Sequence, residues 1–237
     1  MNYKILFMGL LLTGMLLTGC GDSGASPEAD NTPQTIIEPG GNDDANKIFI
    51  VDDTGERWDI THAVNEYGFE VDQFFFGLGK DFIKPYLNPQ FFLPGDAFYP
   101  GPDEGFISVG YNVGQDVRAY ALAVLKNAEV VDDEVGGNRV AVCYCPLANL
   151  TAVYSRKIDS RVLTLAASGW VYRDTFVLRD KETGSIWYPL EGTSGLTCIG
   201  GFYADRKLHE LPSVRVRWSD WIDSHPGSKF LQKGDGR

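Results

Sequence analysis

Gly136-Gly137-Asn138-Arg139-Val140-Ala141-Val142-Cys143-Tyr144-Cys145 sets the texture of the whole chain. Two glycines that tolerate positive φ lead into a run of β-branched and aromatic residues, which is how a buried strand leaves a turn. Toward the C-terminus the pattern recurs over residues 150–154, 162–167, 170–178 and 185–190, with Asp180-Lys181-Glu182-Thr183-Gly184 as a tight turn before the last of them. Toward the N-terminus, residues 106–111 alternate as a strand, Gly114-Gln115-Asp116 turns the chain, and residues 117–120 run back beside it. A further hairpin is predicted where residues 48–51 and 56–60 flank Asp52-Asp53-Thr54-Gly55. Those two aspartates lack the oxygen-ligand spacing of a calcium loop and read as turn chemistry.

Helical spacing is confined to short pieces. Leu122, Leu125 and Ala128 would share one face of a helix over 121–129, and Ser219 is placed to cap a helix over 220–224 with Trp218 and Trp221 on one side. Residues 74–106 scatter Pro and Gly among aromatics, which excludes a long helix. Asp132-Asp133-Glu134 could, like Glu129, supply a functional carboxylate, but such a run more often forms a solvated loop. Together these predict a mainly β fold, with α+β as the alternative: a single domain of antiparallel sheet with a few short helices.

The first residues carry an address. Lys4 precedes an apolar run from Ile5 to Leu17 that falls short of the roughly 20 residues a membrane span needs. It ends in Leu17-Thr18-Gly19-Cys20, which resembles the lipobox of bacterial lipoproteins, where cleavage before the cysteine is followed by acylation of its thiol. The expected organisation is a signal peptide over 1–19, a lipidated Cys20 with a flexible linker to residue 47, and one globular domain over 48–237. A coil of that length spans about 30 Å on average, enough to hold the domain off a membrane. The expected location is the cell envelope, with the membrane as partner through Cys20: outer membrane or periplasmic face in a Gram-negative host.

Composition narrows the partners. In 237 residues, 21 Lys and Arg face 32 Asp and Glu, a formal charge of -11, which argues against a nucleic acid held through its phosphates. Gly77-Leu78-Gly79-Lys80 lacks the spacing of a phosphate loop, and Ser168 and Ser194 each sit in a segment missing one glycine of a nucleophile elbow. No complete catalytic motif is present, so whether the chain is an enzyme stays open.

Several segments are similar to the domain of unknown function 3179 family. They include Trp58-Asp59-Ile60-Thr61-His62, Phe76-Gly77-Leu78-Gly79, Arg118-Ala119-Tyr120, Val135-Gly136-Gly137, Tyr144-Cys145-Pro146-Leu147, Ser168-Gly169 and Thr183-Gly184-Ser185-Ile186-Trp187. The likeness runs over roughly residues 50–230 and implies an exported or membrane-associated protein without an established activity. It also exposes two departures. Where the family shows Cys-Pro-Leu-Cys this chain has Cys145-Pro146-Leu147-Ala148, and where it tends to His-Glu this chain has Ala128-Glu129. If the family uses those groups for metal or redox chemistry, two of them are gone here, and Cys143 and Cys198 are the available substitutes.

Once Cys20 is acylated three cysteines remain, an odd number in a compartment that favours disulfides. Cys143 and Cys145 share a strand face about 6.6 Å apart, near the outer limit for a bridge, so Cys198 is the better partner for either. Three readings follow: a structural bridge with one inert buried thiol, a three-thiolate site for Cu(I) or Zn(II), or thiol redox chemistry without its usual CxxC. His62 is a candidate ligand or general base set against a structural histidine, and Glu129 is a candidate carboxylate. Trp170, Trp187 and Phe74-Phe75-Phe76 line either a ligand groove or the core. The reading that joins these is a binding or accessory module with a cysteine-lined pocket. Its rivals are a thiol enzyme at Cys145 and a scaffold that has dropped its chemistry.

Overall fold

Asp52 shows how the first hairpin is made. In the computed structural model, which describes residues 46–232, β1 (Phe49–Val51) pairs antiparallel with β2 (Arg57–Asp59). Asp52 Oδ1 accepts from the Thr54 amide and hydroxyl and from the Glu56 amide, and Oδ2 accepts from Trp58 Nε1 at 3.0 Å. Burial works to raise this carboxyl, but the hydrogen bonds from Thr54, Trp58 and Glu56 prevail and lower it. This is the turn chemistry expected of the segment.

The chain continues through α1 (Thr61–Tyr67), β3 (Phe74–Phe76), β4 (Phe91–Phe92), β5 (Ile107–Val113), β6 (Asp116–Ala121) and α2 (Leu122–Leu125). Then come β7 (Val130–Val135), β8 (Asn138–Cys145), β9 (Leu150–Ser155), β10 (Lys157–Ile158), β11 (Arg161–Val162), β12 (Leu165–Tyr172) and β13 (Thr175–Asp180). The last elements are β14 (Ile186–Tyr188), β15 (Gly195–Gly200), β16 (Lys207–Leu211), β17 (Val214–Arg217), α3 (Trp218–Ser224) and β18 (Lys229–Leu231). The fold is mainly β, as predicted.

A nine-stranded sheet runs β3-β12-β13-β14-β15-β16-β9-β8-β7, and a five-stranded sheet runs β17-β5-β6-β18-β4. The larger sheet is antiparallel and curled. Asp132 of its last strand, β7, accepts from the Leu165 amide of β12, its second, at 3.0 Å. Inside the curl lie Val130, Leu163, Leu178, Trp187, Leu196 and Leu208 together with Cys143, Cys145 and Cys198. Each fully buried large apolar side chain contributes about 1.5–3 kcal/mol. Trp187 is sealed there because its indole N–H has a partner, Asp180 Oδ2 at 2.9 Å.

The smaller sheet docks through an ionic knot. Arg118 on β6 donates from Nη1 to both oxygens of Asp133 on β7 at 2.6 and 2.7 Å, and from Nε and Nη2 to Asp116. Tyr120 donates to Asp133 at 2.7 Å, and Lys229 and the Gly136 amide complete Asp116.

Four expectations are corrected. The 121–129 helix is a single turn, because the chain leaves α2 into β7. Asp132 and Asp133 are not in a solvated loop but buried in β7, and Arg156 and Arg118 make that tolerable. Residues 170–178 form two strands joined at Arg173, whose φ of 55° closes a tight turn. Ser219 does not cap α3: the cap position is Arg217, without a side-chain hydrogen bond, although Trp218 and Trp221 are buried as expected. β15, β16 and β17 went unread in the sequence.

Candidate functional site

A bulge and a loop make a cavity that holds two of the candidate residues, Glu129 and Cys145. Between Ala167 and Val171 the register of β12 against β13 shifts, and Gly169 takes a φ of 94°. The loop 77–83 lies directly on this bulge: the Gly77 amide donates to Gly169 O at 2.9 Å, and a Cβ on Gly169 would meet Leu78 O at 2.3 Å. Glycine is required here by close backbone approach as well as by its dihedral. Opposite stands the turn that follows β8, with Cys145, Pro146 and Leu147, and the floor is completed by Ala167, Val171 and Phe176. The cavity has a volume of about 390 Å³, and its titratable lining groups are Glu129 and Cys145. Its mouth is apolar, with Leu147 68% and Leu78 46% exposed, and Phe82 in the same loop 71% exposed.

Glu129 sits between α2 and β7 with a φ of 57°, a left-handed backbone that a non-glycine residue adopts at a cost. Its amide donates to Leu125 O and its carbonyl accepts from the Tyr144 amide, both short, so the strain is held in place by α2 and β8. The carboxyl itself has no hydrogen-bond or ion-pair partner among the described residues. Burial raises it to about 7. An unanswered, partly desolvated carboxyl on a residue with left-handed backbone, lining a cavity, makes Glu129 the candidate position of this site.

Cys145 is one residue beyond Tyr144 on the same strand and feels the charge of Glu129. Its thiol is pushed up chiefly by burial, against backbone amides of Ala148, Phe176 and Leu147 that favour the thiolate. Neutralising Glu129 would therefore release one of the brakes on that thiol.

The remaining candidates go elsewhere. Cys143 and Cys198 are buried and free, with thiols raised by burial, and Cys145 is free as well. The expected bridge from Cys198 is thus not formed: Cys198 on β15 donates to Gly200 O at 3.2 Å, while Cys143 on β8 points to Ala141 O. Nor do the three sulfurs converge, since no group of three or more His, Cys, Asp or Glu among the described residues is arranged to hold a metal. Cu or Zn at Cys143, Cys145 and Cys198 consequently has no geometric support. Trp187 and Phe74 belong to the core, whereas Trp170 borders the cavity, its indole N–H buried without a partner.

His62 lies in α1 beside a second, open depression of about 560 Å³ lined also by Lys80, Arg179 and Glu66. Its Nε2 meets Asp205 Oδ1 at 2.8 Å, and the Tyr67 hydroxyl donates to the same oxygen at 2.8 Å. Asp205 is exposed, and the hydrogen bonds from His62 and Tyr67 lower its carboxyl. The structure therefore separates His62 from Glu129 and Cys145, which sequence spacing alone left in one list. The walls of the cavity, Ala167, Phe176 and Ile83, went unnoticed; the glycines at 77, 79 and 169 were the available signal.

Both departures from the resembled pattern adjoin, in the chain, residues that line this cavity, Glu129 and Leu147, without lining it themselves. Ala128 is fully buried beside Glu129, and Ala148 packs on the core at the end of the Cys145 turn. Cys20 lies outside the described residues. Residues 87–237 match the family described as "Protein of unknown function (DUF3179)", so Glu129 and Cys145 fall inside the match and His62 outside it. The chain matches none of the curated proteins and none of the solved structures.

Proposed function

Because the chain belongs to the DUF3179 family, whose description assigns no activity, we propose a function from the cavity itself: a binding module that holds one small, mainly apolar ligand against Glu129 and Cys145. The carrying observation is the cavity of about 390 Å³ whose side chains are apolar except for the Cys145 thiol and a carboxyl, that of Glu129, without a partner among the described residues. Pre-formed concave sites of this size with one or two polar groups are the usual form of small-molecule sites. The lipobox-like Leu17-Thr18-Gly19-Cys20 supports placing this module at the cell envelope on an acyl anchor. A thiol enzyme is less well supported, because burial holds Cys145 protonated and His62 is engaged with Asp205 at another depression.

The test uses N-phenyl-1-naphthylamine, a neutral apolar fluorophore, with the whole chain. Saturable enhancement at one site is expected. Ala167→Leu, which fills the floor, should abolish it, and Leu147→Lys at the exposed mouth, where folding is not at stake, should weaken it several-fold. Enhancement that never saturates, or that ignores both substitutions, overturns the reading.

A further inference from the structure

The polar chemistry of the cavity is one-sided. Apart from backbone groups, its lining offers a carboxyl and a thiol, and no Lys, Arg, His, Ser, Thr, Asn or Gln side chain. The Trp170 indole N–H is sealed from solvent. A ligand carrying carboxylate or phosphate would meet a like charge and no cationic donor. An ammonium brings three donors and no acceptor need, and a positive charge removes the cost of an unpaired, partly buried carboxylate. The rest of the lining, from Ile83 and Ala167 to Phe176 and the exposed Leu78 and Leu147, suits an alkyl or aromatic body, and aromatic faces attract cations in addition. Net charge -11 points the same way, drawing cations toward the domain.

Resting on the reading of the cavity as a ligand site, we propose that its ligand is an amphipathic amine, a monocation with an apolar body, whose ammonium pairs with Glu129 while the body fills the space between the 77–83 loop and Leu147. A bare metal ion fits less well: two protein ligands leave most of a coordination shell unfilled, and apolar walls supply none of it.

The experiment is a competition on the whole chain, displacing N-phenyl-1-naphthylamine with octylammonium, 1-octanol and octanoate, three probes of one chain length. Octylammonium should displace at least about tenfold more tightly than octanol, and octanoate should be the weakest. Glu129→Gln should bring amine and alcohol to near equality while octanol binding persists, which shows that the variant is folded. The titratable groups around Glu129 are Cys145 and Cys143 on β8, both held protonated, so the preference should grow between about pH 5.5 and about pH 8 as Glu129 ionises. Equal binding of amine and alcohol overturns the amine while leaving the cavity reading intact. A fluorophore that does not bind saturably removes both. Zn(II) alone displacing the fluorophore through Glu129 and Cys145, with no preference for the amine, also overturns the proposal.

Discussion

Glu129 and the pair Asp132–Asp133 lie within five residues of each other, and the protein treats them in opposite ways. Asp133 is held by Arg118 and Tyr120. Asp132 is held at Oδ2 by Arg156, which also donates to Val140 O and Leu163 O, and by the Leu165 amide, while its Oδ1 is buried without a hydrogen-bond partner among the described residues. Glu129, at the other end of the same segment, faces a cavity with its carboxyl unanswered. Burial raises Asp132 to about 8, against the pull of Arg156, and raises Glu129 to about 7. The shift alone does not tell a structural acid from a functional one. The partner does: Asp132 and Asp133 each have a guanidinium within hydrogen-bond reach, and the Glu129 carboxyl has none among the described residues.

The comparison breaks most visibly on its structural side. Arg156→Ala removes the cation from a pair buried on both sides, leaves Asp132 Oδ2 with only the Leu165 amide, and takes a donor from three backbone carbonyls, those of Val140, Leu163 and Asp133, at the closure of the curled sheet. Breaking a buried pair from one side costs about 3–5 kcal/mol. Urea unfolding should show that loss as a large drop in midpoint. A change under about 1 kcal/mol would mean that the closure rests on packing alone and that Asp132 is as free as Glu129.

On the other side the sign reverses. The folded state raises Glu129 from its ordinary value of 4.5 to about 7, so stability is fully present below the ordinary value and is lost as pH rises through about 7. Above that the penalty is constant, about 1–3 kcal/mol for a group partly open to solvent. Glu129→Gln keeps the shape and removes the charge. The variant and the parent should unfold together near pH 4 and separate at higher pH, with the variant more stable by that amount at about pH 8. Thermal melts at the two pH values decide it, and a parent more stable than Glu129→Gln at the higher pH would reveal a partner for the carboxylate.

Strand texture, hairpin turns and the tryptophan side of the last helix were legible because each depends on a few adjacent residues: Gly136-Gly137 before a β-branched run, Asp52 answering its own turn, Trp218 and Trp221 three apart. Asp132 and Asp133 were misread because what makes them tolerable comes from 15 to 24 residues away, in Arg118 and Arg156. β15 was hidden in a glycine- and threonine-rich segment, where tertiary burial overrides a weak local pattern. For the site, Glu129 and Cys145 stood out as chemistry, but their shared cavity depends on loop 77–83 lying on the Gly169 bulge. That contact spans some ninety positions, and no local spacing encodes it.

The smallest effect sharpens the same contrast. Ser219 stands where a helix cap was expected, and a working Ser cap is worth about 1 kcal/mol. In the structure the cap position is Arg217, and the Ser219 hydroxyl reaches only the exposed Asp220 Oδ1 at 3.5 Å. Its amide, donating to Glu104 O, does not depend on the side chain. Ser219→Ala should therefore move the unfolding midpoint by less than about 0.5 kcal/mol. A loss near 1 kcal/mol would restore Ser219 as the cap and move the start of α3 from Trp218 to Asp220. A silent substitution places this hydroxyl in a third class, beside the answered Asp133 and the unanswered Glu129: a polar group at the surface of a helix on which the fold does not depend.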